Sequence, residues 1–182
     1  MRISALVVDN LRQRREVGAF TVIHFFCDFP SRQQHTTLRI LQSLLRQAVE
    51  QGHVELIRQV KNACVDPSVL RNSEEIGRIL AKACAIRKTY LILDAPDELN
   101  EPMDLLAFVD ILVQNQCSCM VTSRDISNIR RCFKGAKQFE VKAHPQDLAA
   151  FVNWNLRQNG LLEENPGIVN LVDEVVEKSG QM

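Results

Sequence analysis

Three carboxylates, those of Asp94, Asp97 and Glu98, follow directly on the apolar run 90–93. An apolar run without alternation predicts a strand buried on both faces, as in a parallel sheet covered by helices. Ligands of such sheets bind beyond the carboxyl ends of the strands. Carboxylate oxygens there suit a divalent cation and an activated water. We therefore predict that Asp94 holds a metal ion, directly or through a water, and that Asp97 or Glu98 orients an attacking water.

The next predicted strand, 117–122, ends in polar residues that fit the same chemistry. Its carboxyl end should meet the first strand at one edge of the sheet. Arg124 is then expected to face the terminal phosphate of a nucleotide and to report its loss. The hydroxyl of Thr122 or Ser123 could hydrogen-bond the attacking water. Ser123 and Arg124 are thus the predicted nucleotide contacts.

Simpler interpretations of these side chains stay open. Acidic residues after a strand often only begin a helix, and Asp97 and Glu98 shortly precede Pro102, which suits a first helical turn. The six cysteines include no C-x-x-C pair, which favours reduced, mostly buried thiols over a zinc site. The four histidines are widely separated, and no arrangement for covalent catalysis is found.

The phosphate-binding half of a nucleotide site has no counterpart in the sequence. A P-loop has the signature G-x-x-x-x-G-K-[ST], whose backbone N–H groups and lysine hold the phosphates. None of the seven glycines is followed by Lys and then Ser or Thr. The sequence therefore predicts only the metal and water side of such a site.

The hydrophobic pattern predicts alternating helices and strands. The predicted helices are 3–15, 37–51, 54–63, 73–86, 102–113, 126–132, 144–156 and 168–178, and the predicted strands are 19–29, 90–93, 117–122 and 138–141. Such alternation indicates an α/β fold with a parallel sheet and helices on both faces. The first helix begins without a cap or a preceding strand, so we expect the chain to start in mid-structure.

Composition excludes several classes of partner. Lys+Arg 22 balances Asp+Glu 22, which leaves no electrostatic case for nucleic-acid binding. No apolar run approaches the roughly 20 residues that cross a bilayer. The apolar stretch 5–8 is too short for a signal peptide. We expect a cytoplasmic protein that contacts neither nucleic acid nor membrane.

At this point the motifs resemble those of a known family. LILDAPDELNE resembles the Walker B segment of NACHT-type (STAND-class) P-loop signalling NTPases, and CMVTSRD resembles their sensor strand. FTVIHFFCDF, TTLRILQSLLRQ, EVKAHPQDLAAFV and LVDEVVEKSGQM are similar to further segments of the family, in the same order. The likeness is greatest to fungal NACHT proteins with ankyrin or WD40 repeats, also classed as nephrocystin-like N-terminal domains.

The resemblance implies a truncated P-loop NTPase core. Met1 would stand near the serine or threonine of the Walker A loop, so that the first strand and the loop precede the chain. Residues 1–143 would be a partial nucleotide-binding core, and 144–182 the start of the following helical subdomain. The family usually has an apolar residue or glycine where this chain has Pro96, which should reshape the turn that carries Asp97 and Glu98.

The resemblance also implies a function for the intact protein and two readings of this chain. The family binds ATP or GTP with Mg²⁺, switches conformation in signalling, and acts through protein partners or self-association. Lacking the phosphate loop, this chain alone should retain no cofactor and hydrolyse no nucleotide. The alternative is a non-catalytic interaction module or the remnant of a truncated gene, with unpaired strand edges. A receiver domain phosphorylated at Asp94 is disfavoured, because its second acidic pair and its lysine are missing.

Overall fold

The fold is described from a computed structural model, which covers residues 3–14, 19–52, 54–63, 66, 68–142, 144–158 and 174. The helices are α1 (Ile3–Gln13), α2 (Thr37–Glu50), α3 (Val54–Ala63), α4 (Ser73–Ile86), α5 (Pro102–Gln114), α6 (Ser127–Cys132) and α7 (Pro145–Gln158). The strands are β1 (Thr21–Phe26), β2 (Thr89–Asp94) and β3 (Cys117–Thr122). Short 3₁₀ turns cover Phe29–Ser31, Val69–Arg71 and Pro96–Glu98.

The three strands form a parallel sheet in the order β1-β2-β3. β2 is central, with Phe26 and Thr122 on either side of Asp94 at the carboxyl end. Five of the six residues of β2 are buried, as the continuous apolar run predicts for an interior strand. β1 is shorter than the predicted 19–29, because the chain leaves the ladder before Pro30.

Helices cover both faces of the sheet. On one face, α2, α4 and α5 enclose the main core, in which Ile23, Leu91 and Leu93 are central. On the opposite face, α1 places Val8 against Val22 and Ile92. The α/β class, the parallel sheet and the three layers are thus confirmed, in an arrangement consistent with the predicted P-loop type. No described helix is both long and apolar enough to cross a bilayer.

Local sequence signals explain where the helices begin. Thr36 caps α2 by accepting a hydrogen bond from the N–H of Arg39, and Asn72 caps α4 by accepting from two backbone N–H groups. Pro102 occupies the first turn of α5, where a missing N–H costs nothing. These are the ends that the sequence predicts within one or two residues.

The chain divides into two compact units, Met1–Gly135 and Ala136–Met182. The predicted strand 138–141 is wrong, because this segment of the second unit has no regular secondary structure. Its alternation of Phe139 and Val141 with polar residues is strand-like, yet both side chains are exposed and no described strand pairs with it. A strand needs a neighbour to satisfy its backbone, whatever its pattern.

Helix α7 of the second unit is confirmed, but part of its predicted inward face is not. Leu156 is buried and Leu148 and Val152 are half-buried, whereas Phe151 is exposed. The predicted helix 168–178 lies outside the described residues except for Glu174. The proposed division at residues 143 and 144 stays a prediction.

Candidate functional site

Asp94 closes β2 and is held by hydroxyl groups from two neighbouring elements. Ser4 Oγ in the first turn of α1 donates to Asp94 Oδ1 at 2.5 Å, and Thr122 Oγ1 at the end of β3 donates to the same oxygen at 2.5 Å. Ser4 is fully buried and Asp94 is 8% exposed. The Asp94 carboxylate therefore connects α1 to the carboxyl ends of β2 and β3 through hydrogen bonds. Its predicted role as a metal ligand stays a prediction.

The turn after Asp94 has an unusual backbone. Ala95 lies in the left-handed region, with φ 52° and ψ 50°. A residue before proline normally avoids helical conformations, and a left-handed alanine is strained. Two contacts hold it: Ala95 N–H donates to the Thr122 carbonyl at 2.8 Å, and Glu98 N–H donates to the Ala95 carbonyl at 3.0 Å. Pro96 then begins the 3₁₀ turn that carries Asp97 and Glu98.

Asp97 reaches across to the end of β3 and binds Arg124. Arg124 Nε donates to Asp97 Oδ2 at 2.6 Å. The Asp97 side chain is only 2% exposed, while that of Arg124 is 74% exposed. The hydrogen bond and the charge of Asp97 raise the pKa of Arg124. The pair thus joins a buried carboxylate to a solvated guanidinium.

The second carboxylate oxygen of Asp97 does not share in the bond to Arg124 Nε. Asp97 Oδ1 is buried and finds no hydrogen-bond partner among the described residues. Buried polar atoms are normally paired, because an unpaired one loses its hydration without compensation. An orphaned carboxylate oxygen beside a cleft is the kind of group that a cation or a donor from a ligand can satisfy.

A cleft of about 510 Å³ opens at this edge of the sheet. Its walls come from the ends of all three strands, and they are Phe29, Ala95, Asp97, Glu98, Thr122, Ser123 and Arg124. The predicted residues Asp97, Glu98, Ser123 and Arg124 are therefore brought together. Asp94 does not line the cleft.

The carboxylates do not gather into a preformed metal site. Within the part of the chain that the structure describes, no group of three His, Cys, Asp or Glu side chains could hold a metal ion. Ser123 is engaged locally, donating to the Arg124 carbonyl at 2.8 Å. The nearby thiol of Cys27 stays protonated, because burial and, secondarily, the charge of Asp94 raise its pKa to about 12.

Two contributors were not predicted from the sequence. Phe29 follows the end of β1 and could have been found by the rule that places ligands at strand ends. Ser4 carries a weaker signal: it shares one helical face with Val8 and Leu11, which marks it as a buried polar side chain in need of a partner. No local sequence signal identifies Asp94 as that partner.

The described cysteines fit the prediction of reduced thiols. Cys27, Cys84 and Cys117 are buried, Cys119 is half-buried, and only Cys132 among the five is exposed. A hydrogen bond to Cys84 and burial together raise the pKa of the Cys117 thiol. Cys64 lies outside the described residues.

Comparison with known proteins places the chain in a family. A family model described as "Nephrocystin 3, N-terminal" matches residues 2–124, which include α1, the whole sheet and every residue of the cleft. No curated protein and no solved structure matches the chain significantly.

Proposed function

Because the chain belongs to the nephrocystin 3 N-terminal family, we propose that the cleft is one side of the nucleotide site of a NACHT-type signalling NTPase. The intact protein would bind ATP or GTP with Mg²⁺, switch conformation in the cytoplasm, and signal through protein partners or self-association. The observation that carries the proposal is the bond between Asp97 and Arg124, which leaves one buried carboxylate oxygen unpaired beside the cleft.

The side chains of the cleft suit a magnesium-bound phosphate. Asp97 offers its unpaired oxygen, and Glu98 adds a second carboxylate at the wall. Mg²⁺ is commonly bound through one or two carboxylates, with waters and substrate phosphates completing the coordination. Because the described residues form no group of three metal ligands, the phosphates and waters would have to complete it here.

Arg124 supplies the phosphate contact and the means of switching. Its planar guanidinium can bind two phosphate oxygens at once, and its exposure lets it turn away from Asp97 without leaving water. When Arg124 has turned away from Asp97, a bound Mg²⁺ would supply the positive charge beside that carboxylate. Since Asp97 follows β2 and Arg124 follows β3, this exchange of partners would couple a bound phosphate to the geometry of both strand ends. Glu98 would orient the attacking water.

We expect the affinity of this chain by itself to be low. Its sequence contains no G-x-x-x-x-G-K-[ST] motif to wrap the phosphates. Carboxylates without a metal ion also repel a triphosphate. Any binding through the cleft should therefore require Mg²⁺, and we expect no detectable hydrolysis.

An amide-resolved NMR titration detects such weak binding. Adding ATP or GTP with Mg²⁺ should shift amide signals of residues 95–98 and 122–124, and omitting Mg²⁺ or introducing Asp97→Asn should abolish the shifts. Asp110→Asn is the matched control, because Asp110 is an exposed carboxylate on α5 that does not line the cleft. Unmoved signals at saturating millimolar nucleotide, or shifts that persist without Mg²⁺ or in Asp97→Asn, would contradict the proposal.

A further inference from the structure

Two buried thiols meet at the end of the sheet opposite the cleft. Cys84 lies in the last turn of α4, and Cys117 is the first residue of β3. Their exposed fractions are 2% and 5%. A hydrogen bond joins the two side chains. Neither residue lines the cleft, so the function proposed above does not use these thiols.

The core of the fold brings the two thiols together. Cys117 pairs in register with Thr89, the first residue of β2. Only residues 87 and 88 separate α4 from β2, so the end of the helix is held beside the beginning of the sheet. Cys84 and Cys117 belong to the same hydrophobic cluster. Packing of a helix against two strands therefore keeps the sulfur atoms in contact in the reduced protein.

The two thiols differ in acidity. The hydrogen bond with Cys117 lowers the pKa of Cys84 against the opposing effect of burial, and the Thr89 hydroxyl adds to the lowering. The same hydrogen bond, together with burial, raises the pKa of Cys117. The thiolate is the nucleophilic form of cysteine. Cys84 is therefore the thiol that attacks first, and Cys117 is positioned to react with the product.

We propose that Cys84 and Cys117 are a redox-sensitive pair that hydrogen peroxide oxidises to a disulfide. The Cys84 thiolate attacks one peroxide oxygen, the O–O bond breaks, and the departing hydroxide takes up the proton that Cys84 had released. The Cys117 sulfur then attacks the sulfur of Cys84 sulfenic acid. The S–O bond breaks, and the hydroxyl group leaves with the Cys117 proton as a second water. The two thiols lose two electrons, which the peroxide gains.

Other pairings of the described cysteines fit the geometry less well. Cys117 and Cys119 share one strand, in which residues two apart are separated by roughly 6.6 Å, whereas a disulfide brings its Cβ atoms to about 4 Å. Burial also raises the pKa of Cys119 to about 12. Cys27 follows the carboxyl end of β1, at the other end of the parallel sheet. Cys84 is thus the favoured partner of Cys117.

The disulfide would stabilise the part of the chain that carries the cleft residues of β2. It closes a loop from Cys84 to Cys117, which contains β2, the turn with Asp97 and Glu98, and α5. A cross-link of this kind restricts the unfolded chain, so the melting temperature should rise by roughly 5–10 °C. Because the bond forms at the opposite end of the sheet, it leaves the cleft itself unoccupied.

The test maps the disulfide and measures its effect on the full chain. The reduced protein is treated with hydrogen peroxide, the excess is removed with catalase, and the remaining thiols are alkylated before digestion and mass spectrometry. The main intramolecular disulfide should join the peptides of Cys84 and Cys117. Dithiothreitol should restore both thiols and return the melting temperature to that of the reduced protein.

Alanine variants separate this pair from general oxidation. Cys84→Ala and Cys117→Ala should each abolish the linked peptide and the rise in melting temperature. Cys132→Ala is the matched control, because Cys132 is exposed on α6, and it should change neither. If an alanine variant does not fold, the linked peptide and the reversible shift of the unmodified chain decide alone.

Three outcomes would overturn the proposal. The first is that Cys84 and Cys117 both stay reduced when peroxide has oxidised Cys132. The second is that either of the two pairs mainly with another cysteine. The third is an equal yield of the linked peptide from the chain unfolded in urea, which would show that the fold does not direct the pairing.

Discussion

The end of β2 and the turn that follows it hold two aspartates in opposite states. Asp94 is bound by the hydroxyls of Ser4 and Thr122 and serves to join α1 to the strand ends. Asp97, three positions on, is as well buried but has one oxygen on an exposed arginine and the other on nothing described. A carboxylate oxygen bonded twice within the fold stabilises it, while a buried oxygen without a described partner is available to a ligand.

This difference divides stability from binding along one short segment. The sequence predicts Asp94 as the metal ligand, and this stays a prediction; its Oδ1 accepts from two hydroxyl groups, whereas Asp97 and Glu98 line the cleft. Binding and stability should therefore respond to different substitutions.

The largest effect is expected for Asp94→Ala. It removes the acceptor of two short hydrogen bonds and leaves the buried hydroxyl of Ser4 unpaired, which should lower the free energy of unfolding by about 3 kcal/mol. Urea denaturation measures it, with exposed Asp110→Ala as the control. Asp97→Ala should cost clearly less, since Arg124 returns to water. Equal losses for the two aspartates would show that Asp94 and Asp97 contribute alike to stability.

A smaller effect is expected for Ser4→Ala. The substitution removes one of the two donors to Asp94 Oδ1 and leaves Thr122 in place, so the free energy of unfolding should fall by roughly 1–2 kcal/mol. Ser127→Ala, at an exposed position, should change it little. In the double variant with Asp94→Ala, the Ser4 substitution should cost almost nothing further, because the partner is already gone. Full additivity would show that the hydroxyl acts elsewhere.

The smallest effect is expected at the turn between the two aspartates. Ala95→Gly removes the backbone strain of a left-handed alanine but raises the conformational entropy of the unfolded chain. The free energy of unfolding should therefore rise by at most about 1 kcal/mol. Ala107→Gly, on the exposed side of α5, should instead lower it by about 1 kcal/mol. The two melting temperatures, compared with that of the unmodified chain, check the opposite signs. A loss at both positions would mean that Ala95 is not strained.

Most of the fold could be predicted from local pattern. The apolar run before Asp94, the caps Thr36 and Asn72, and Pro102 each carry a signal that depends only on neighbouring residues. The strand predicted at 138–141 was wrong for a reason that local pattern does not contain. Its alternation satisfied the local rule for a strand, but a strand also requires a partner that no local rule supplies.

The candidate site, too, could be predicted only in part from local sequence pattern. Strand ends in a parallel sheet must share an edge, so the approach of Arg124 to Asp97 followed from the predicted topology. The roles within the cluster did not follow. Which carboxylate is hydrogen-bonded within the fold depended in part on Ser4, a residue ninety positions away in sequence.

Because periodicity and capping act over a few residues, they predicted most of the elements, the fold class and the edge of the sheet at which the polar residues collect. Tertiary packing sets which carboxylate oxygens are bonded: Asp94 Oδ1 accepts from two hydroxyl groups, while Asp97 Oδ1 has no partner among the described residues. The first outcome depends on groups distant in sequence, Ser4 and Thr122. Such pairings exist only once packing has brought the groups together.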